Sequence, residues 1–301
     1  MVDLKTKIGR LELQNPIVTA SGTFGYGTEF NDFVDLDKIG AITLKSVTLK
    51  ARIGNAPPRV AETSSGMMNS IGLENKGIED LLNRRLPALE KYKNLSVIGN
   101  IAGHTIEENV ELAKILEKEK RINALELNLS CPNVDAGGLA FCLDIPVMKE
   151  MIKQVRNAYN GPLIVKLSAI VPDLVTLSKE AVLAGAEILT LINTVPGMEV
   201  DVTNRKLFFK RGVAGLSGPA ILPIALKAVY DVAQNVKVPI IGTGGASCLE
   251  DVLKFLIIGA NAVSIGTMNF VNPKITESLV KDLADYLLQN NLKLSELTLQ
   301  N

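Results

Sequence analysis

The segment Ala124-Leu125-Glu126-Leu127-Asn128-Leu129-Ser130 alternates apolar and polar residues with a period of two. Successive side chains of an extended strand point to opposite faces, so Leu125, Leu127 and Leu129 share one side and Glu126 and Asn128 the other. Seven further runs have a similar length and an apolar, β-branched or Leu-rich character: Pro16–Ala20, Ala41–Val47, Ser96–Ile101, Leu163–Ser168, Ile188–Asn193, Pro239–Gly242 and Ala262–Gly266. Amphipathic helical stretches lie between them, including 107–119, 147–158, 174–184, 221–233 and 249–258. Strands that are nearly continuous apolar runs are buried on both faces, as in parallel sheets covered by helices. Eight such units in 301 residues fit a (β/α)8 barrel better than an open doubly wound sheet. No GxGxxG follows the first strand, which removes the dinucleotide-binding fingerprint. Met1–Gln14 is expected to form a small hairpin closing the barrel bottom, and Val195–Leu216 an insertion before the seventh strand. No Pro/Gly/Ser-rich linker divides the chain, so residues 1–301 read as a single domain.

Composition narrows the function. Lys+Arg and Asp+Glu both total 32, so the chain lacks the basic surplus that nucleic-acid binding needs. Hydrophobic residues make up 47% and charged residues 21%, enough to build a large core. No apolar run reaches the roughly 18 residues of a membrane span. Three cysteines without framework spacing, and no secretory signal at the start, point to a reducing cytoplasm. With a single histidine, His104, and no CxxC pair, a zinc or iron–sulfur site built by this chain alone is not expected. His104 reads as a solvent-exposed loop residue.

Polar residues cluster where the apolar strands end. Ser21, Lys45, Asn100, Asn128, Lys166, Asn193, Gly244 and Gly266 all fall at or just past C-terminal strand ends, and those ends ring the catalytic face of a barrel. In Leu163-Ile164-Val165-Lys166-Leu167, the alternation points Lys166 into the barrel, and Thr43 and Lys45 read the same way. A buried ammonium costs several kcal/mol unless an anion answers it. Glu126 could supply a structural ion pair. Two lysines and one obvious carboxylate leave a cation over, which an anionic ligand would neutralise.

Gly242-Thr243-Gly244-Gly245-Ala246-Ser247 follows the seventh strand and opens a helix, with Ser247 and Glu250 spaced as a capping box. Gly266-Thr267 ends the eighth strand. Glycines let amides approach an anion closely, and these two loops frequently form a barrel's phosphate site. Gly215-Leu216-Ser217-Gly218 could add a further amide. Cys131 opens a Gly-hinged loop at the same rim, where a thiol could act as nucleophile or base. Cys142 and Cys248 read as buried small hydrophobes.

The strings Asn69-Ser70-Ile71-Gly72-Leu73, Asn128-Leu129-Ser130-Cys131-Pro132-Asn133, Lys166, Asn193-Thr194 and Gly242-Thr243-Gly244-Gly245 resemble the class 1 dihydroorotate dehydrogenases. The likeness runs in order over essentially the whole chain, from Ala20-Ser21-Gly22 to Gly266-Thr267. Gly137-Gly138-Leu139-Ala140-Phe141 looks like the class 1B form, although Cys142 stands where Gly is expected. The resemblance implies oxidation of dihydroorotate to orotate in pyrimidine biosynthesis, with one FMN per chain. Cys131 would remove a ring proton while hydride passes to the flavin. Ser21, Lys45, Ser46, Asn100, Asn128, Lys166 and Ile192 would hold the flavin, and Gly218, Gly244, Gly245, Gly266 and Thr267 its phosphate. Lys45, Asn69, Ser70, Ile71, Gly72, Leu73, Asn128, Asn133, Asn193 and Thr194 would bind substrate. Electrons would reach NAD+ through a partner subunit carrying FAD and a 2Fe-2S cluster, joined to a homodimer core as a heterotetramer. The rival readings are a class 1A enzyme reducing fumarate, a Schiff-base aldolase using Lys166, and a non-catalytic scaffold barrel.

Overall fold

The computed structural model describes residues 2–130 and 139–300. Eight strands form a closed barrel: β1 (Ile17–Thr19), β2 (Ala41–Thr43), β3 (Ser96–Ile101), β4 (Ala124–Asn128), β5 (Leu163–Leu167), β6 (Ile188–Leu191), β7 (Ile240–Thr243) and β8 (Ala262–Ile265). Each pairs in parallel with its sequence neighbours, and β8 closes on β1. This is the (β/α)8 barrel that the strand pattern predicts, with every strand inside or within a residue or so of its expected run. The principal outer helices are α1 (Ile106–Leu116), α2 (Ile145–Ala158), α3 (Leu174–Leu183), α4 (Leu222–Asn235), α5 (Leu249–Ile257) and α6 (Ile275–Gln289).

The period of two sorts the core into two separate clusters. Outward residues such as Leu125, Leu127, Leu129, Val165, Leu167 and Leu189 pack against helix residues such as Leu112, Met151, Ile152 and Phe255. Inward residues Val18, Ala41, Ile98, Ala124, Ile164, Ile188, Ile241 and Ala262 fill the lower barrel together with Ile8, Leu11 and Leu13. Those last three come from an antiparallel hairpin, Thr6–Ile8 with Leu11–Leu13, so the expected bottom plug is present. Its two-residue turn places Gly9 at φ +59°, a conformation that suits glycine. Arg10, in the same turn, donates from Nε to Glu187 at 2.7 Å and ties the plug to the barrel wall.

The expected insertion lies between β6 and β7, and the structure adds what its sequence did not disclose. Val195–Met198 and Val213–Ser217 join Gly66–Asn69 and Val60–Thr63 in a four-stranded antiparallel sheet. Two loops separated by about half the chain thus build one wall over the barrel mouth.

Candidate active site

A cleft of about 1150 Å³, counted out to its open mouth, lies at the C-terminal ends of the strands. That is the scale of small-molecule sites, which run to roughly 1,000 Å³. Barrel residues form its floor and one side: Ser21 after β1, Lys45 and Ser46 after β2, Asn128 and Lys166 within β4 and β5, and Ile192, Asn193 and Thr194 after β6. Gly244, Gly245, Gly266 and Thr267 follow β7 and β8, with Gly218 beside them. Asn69, Ile71, Gly72 and Leu73 reach in from the antiparallel sheet and the loop that leaves it. The fold therefore gathers residues spread from position 21 to position 267 around one space.

Two expected site residues stand outside the lining. Asn100 is wholly buried and donates from Nδ2 to Glu126 at 2.6 Å, at a level below Asn128. Ser70 is buried, and its Oγ accepts from Asn55 Nδ2 at 3.0 Å, which fastens the loop rather than facing the cleft. Cys131 and Asn133 lie outside the described residues.

A chain of hydrogen bonds crosses the floor. Ser21 Oγ donates to the Leu44 carbonyl at 2.8 Å and stands 3.4 Å from Ser46 Oγ, which accepts from Asn128 Nδ2 at 3.4 Å. Ser130 Oγ donates to Asn128 Oδ1 at 3.1 Å and accepts from Asn193 Nδ2 at 2.9 Å. Asn193 Oδ1 then accepts from the Thr194 amide at 2.7 Å. Ser130, which sequence reading passed over, is thus the link that sets both amide side chains; its place beside Cys131, on the parity of Glu126 and Asn128, was the available signal. Amides so held keep one donor or acceptor for a ligand that offers alternating N–H and C=O groups.

The electrostatics are one-sided. Lys45 and Lys166 line the cleft, and no Asp or Glu does so among the described residues. Lys166 is 5% exposed, and among the described residues no ion pair or hydrogen bond answers its ammonium. The structural ion pair considered above does not form there. Glu126, 2% exposed, instead accepts from Asn100 Nδ2 and, at 2.7 Å, from Thr190 Oγ1. An uncompensated buried cation favours an anionic occupant.

At the other end of the cleft the backbone makes a tight cradle. A Cβ on Gly245, at φ +83°, would stand 2.7 Å from the Leu222 amide nitrogen and 2.9 Å from the Gly218 carbonyl oxygen. The loop after β7 therefore packs against the start of α4 and its leading turn, Pro219–Ile221, where amides and helix dipole favour an anion. Beside it Thr243 Oγ1 is buried without a partner, and Thr243 lines the cleft.

Three expectations need correction. The Ser247–Glu250 capping box does not form: Asp251 reaches back to accept from Ser247 N at 2.9 Å and Oγ at 2.8 Å, while Glu250 pairs with Lys254. Cys248 is exposed rather than buried, because it occupies the N-cap of α5. His104 is half-buried against Arg52 rather than free in solvent. Cys142 is buried as expected; its thiol donates to the Leu129 carbonyl, and burial pushes it up to about 12. Among the described residues no group of three or more His, Cys, Asp or Glu could hold a metal, and no helix is long and apolar enough to cross a membrane.

The dihydroorotate dehydrogenase family model matches residues 3–287. The chain belongs to the dihydroorotate dehydrogenase family. It is 45% identical over 292 residues to the protein named dihydroorotate dehydrogenase B (NAD(+)), catalytic subunit, of Thermoanaerobacter sp. (strain X514), covering 97% of this chain and 96% of that one. It is 46% identical over 291 residues to the protein of that name from Desulforamulus reducens, with 97% and 95% covered. The counterpart from Thermodesulfovibrio yellowstonii is 44% identical over 290 residues, with 96% and 95% covered. Family membership carries through the whole barrel, both the apolar plug and the polar mouth.

Proposed function

We propose that the cleft binds FMN and oxidises dihydroorotate to orotate, and that the chain is the catalytic subunit of an NAD+-linked, class 1B dihydroorotate dehydrogenase. The observation that carries this reading is the cationic cleft: two lysines and no carboxylate among its described lining residues, ending in a glycine cradle at a helix start. A flavin mononucleotide fits that donor set. Its phosphate suits the amides of Gly218, Gly244, Gly245, Gly266 and Thr267, and the unpartnered hydroxyl of Thr243 suits a polar atom nearby.

Ser21, Lys45, Ser46, Asn128, Lys166 and Ile192 hold the ring system. Asn100 contributes from beneath, through its bond to Glu126. FMN, when bound, supplies the acceptor for the hydride that leaves the substrate ring. Lys166 and Lys45, which line the cleft, would stabilise negative charge on a bound acceptor, since preorganised cations act strongly where water is excluded. Asn69, Ile71, Gly72 and Leu73, with Asn128, Asn193 and Thr194, orient the substrate's alternating donors and acceptors, and Ser70 holds their loop in place. Cys131 takes the proton from the carbon next to the one that loses hydride, and Asn133 assists in binding. A thiol of ordinary pKa about 8.5 becomes a competent base when nearby cations favour its thiolate.

The relatives are named as catalytic subunits. This reading accordingly gives the chain a homodimer core and an electron-transfer partner with FAD and a 2Fe-2S cluster, in the cytoplasm. The test is direct. The purified protein is expected to be yellow, and dihydroorotate is expected to bleach it without oxygen. A colourless protein that takes up no FMN overturns the proposal. Fumarate reduction without any partner would keep the chemistry and overturn the NAD+ assignment.

A further inference from the structure

Glu126 is a buried ionisable group to which the reaction gives no direct part. It lies on β4 two residues before Asn128, which lines the cleft, so it sits roughly 7 Å below that level at about 3.3 Å of rise per residue. It is 2% exposed, and its two oxygens accept from Asn100 Nδ2 at 2.6 Å and Thr190 Oγ1 at 2.7 Å. Asn100 Nδ2 can only donate, and the Thr190 hydroxyl can donate to the other oxygen, so the surroundings offer each oxygen the donor that a carboxylate needs. The supports are neutral groups, not a cation. Thr190 is the register neighbour of Lys166 on β6, and Asn100 is the neighbour of Glu126 on β3. Asn100 Oδ1 is left without a partner, so that amide is committed to Glu126 alone.

Removing a charge from water is costly, and neutral donors repay only part of that cost. An apolar residue would fill the same layer more cheaply, as Ile98 and Ile164 do in the layer below. We infer that Glu126 is an electrostatic positioning residue: a fixed negative charge beneath the cleft that offsets Lys45 and Lys166 and lowers the reduction potential of the flavin held above it. The inference rests on the flavin reading of the cleft. Reduction adds negative charge to the flavin, two lysines draw that charge in, and the carboxylate opposes it. A flavin bound only by cations would accept electrons readily and surrender them poorly to a weakly oxidising acceptor such as NAD+. At roughly 10 Å and an effective dielectric of about 20, one unit charge changes such an equilibrium by on the order of tenfold.

The experiment uses flavin-loaded wild-type protein and three variants, titrated spectroscopically without oxygen against a reference dye. Glu126→Gln, which keeps the shape and removes the charge, is expected to shift the equilibrium about tenfold toward reduced flavin, or about 30 mV for a two-electron couple. Glu126→Asp keeps the charge and is expected to stay within about threefold of wild type. Thr190→Val removes one of the two donors that sustain the charge and is expected to shift the equilibrium the same way as Glu126→Gln by a smaller factor, which keeps the test open if Glu126→Gln fails to fold. A potential for Glu126→Gln within twofold of wild type overturns the inference. So does an equal shift in Glu126→Asp, which would mark a packing role, or a shift toward oxidised flavin in Thr190→Val. Wild-type protein that binds no flavin overturns the flavin reading itself, an outcome distinct from all of these.

Discussion

The two ends of the barrel are made by the same eight strands and have opposite character. At the bottom, Val18, Ile98, Ile164, Ile188 and Ile241 meet Ile8, Leu11 and Leu13 in a closed apolar layer. One or two inward positions further along the same strands stand Asn100, Glu126, Lys166, Thr190 and Thr243, all buried and polar. The lower layer satisfies itself. The upper one does not, since Asn100 Oδ1 and Thr243 Oγ1 have no partner and no described group answers Lys166. Stability is thus concentrated where the barrel is plugged, and unmet polar capacity where it opens. Sites built to bind a ligand hold such unmet groups in place before the ligand arrives.

Substitutions at the two ends should therefore separate chemistry from stability. The largest effect is expected from Cys131→Ala, which should slow flavin reduction by roughly 10²–10⁴ while leaving flavin content and melting temperature near wild type. Stopped-flow measurement of the half-reaction checks this, and unchanged kinetics would remove the thiol from the reaction. Next comes Leu11→Ala in the plug, 3% exposed, expected to cost about 2–5 kcal/mol of stability. Denaturant unfolding should show the loss, and flavin affinity of the folded protein should stay the same. A large fall in affinity would mean that the two ends are coupled.

Lys166→Met is expected to weaken flavin binding by about 10- to 100-fold, the worth of a hydrogen bond to a charged group. The same change should leave the flavin-free protein about as stable as before, because the ammonium it removes has no hydrogen-bond or ion-pair partner among the described residues. A flavin-free protein that melts far lower would make Lys166 a structural residue. The smallest effect concerns the plug's tether. The hydrogen bond from Arg10, aided by the charge of Arg10 and Arg156, holds the Glu187 carboxyl below its ordinary value of 4.5. A depressed folded value means that the contribution is present above about pH 4.5 and is lost as pH falls through the lowered value. Urea midpoints between neutral and acid pH should fall more steeply for wild type than for Glu187→Gln. Parallel curves would show that the tether contributes nothing measurable.

Much of the site was legible because strand parity is a local property. Lys166 between Val165 and Leu167, and Asn128 between Leu127 and Leu129, declare their inward direction within five residues. The glycine-rich turn after β7 declared its place by following a strand and opening a helix. Asn100 and Ser70 were harder. Parity gives a side chain's direction, but not its depth below the mouth or the partner that takes it up, and Glu126 and Asn55 claimed those two. The capping of α5 failed for a related reason: two acidic residues, Glu250 and Asp251, stood within reach of Ser247, and packing selected the second.

By itself the sequence determined the barrel, the order of its strands, the apolar plug and the inward lysines, because each depends on a period of two or on contacts between neighbours in the chain. Tertiary structure alone decided that 60–69 and 195–217 form one antiparallel wall, that Ser130 links two amide side chains, and that Glu126 rests on Asn100 and Thr190. Those pairings join residues far apart in sequence. Several partners were chemically equivalent for each, and only the distances fixed by closing the ring of strands could choose among them.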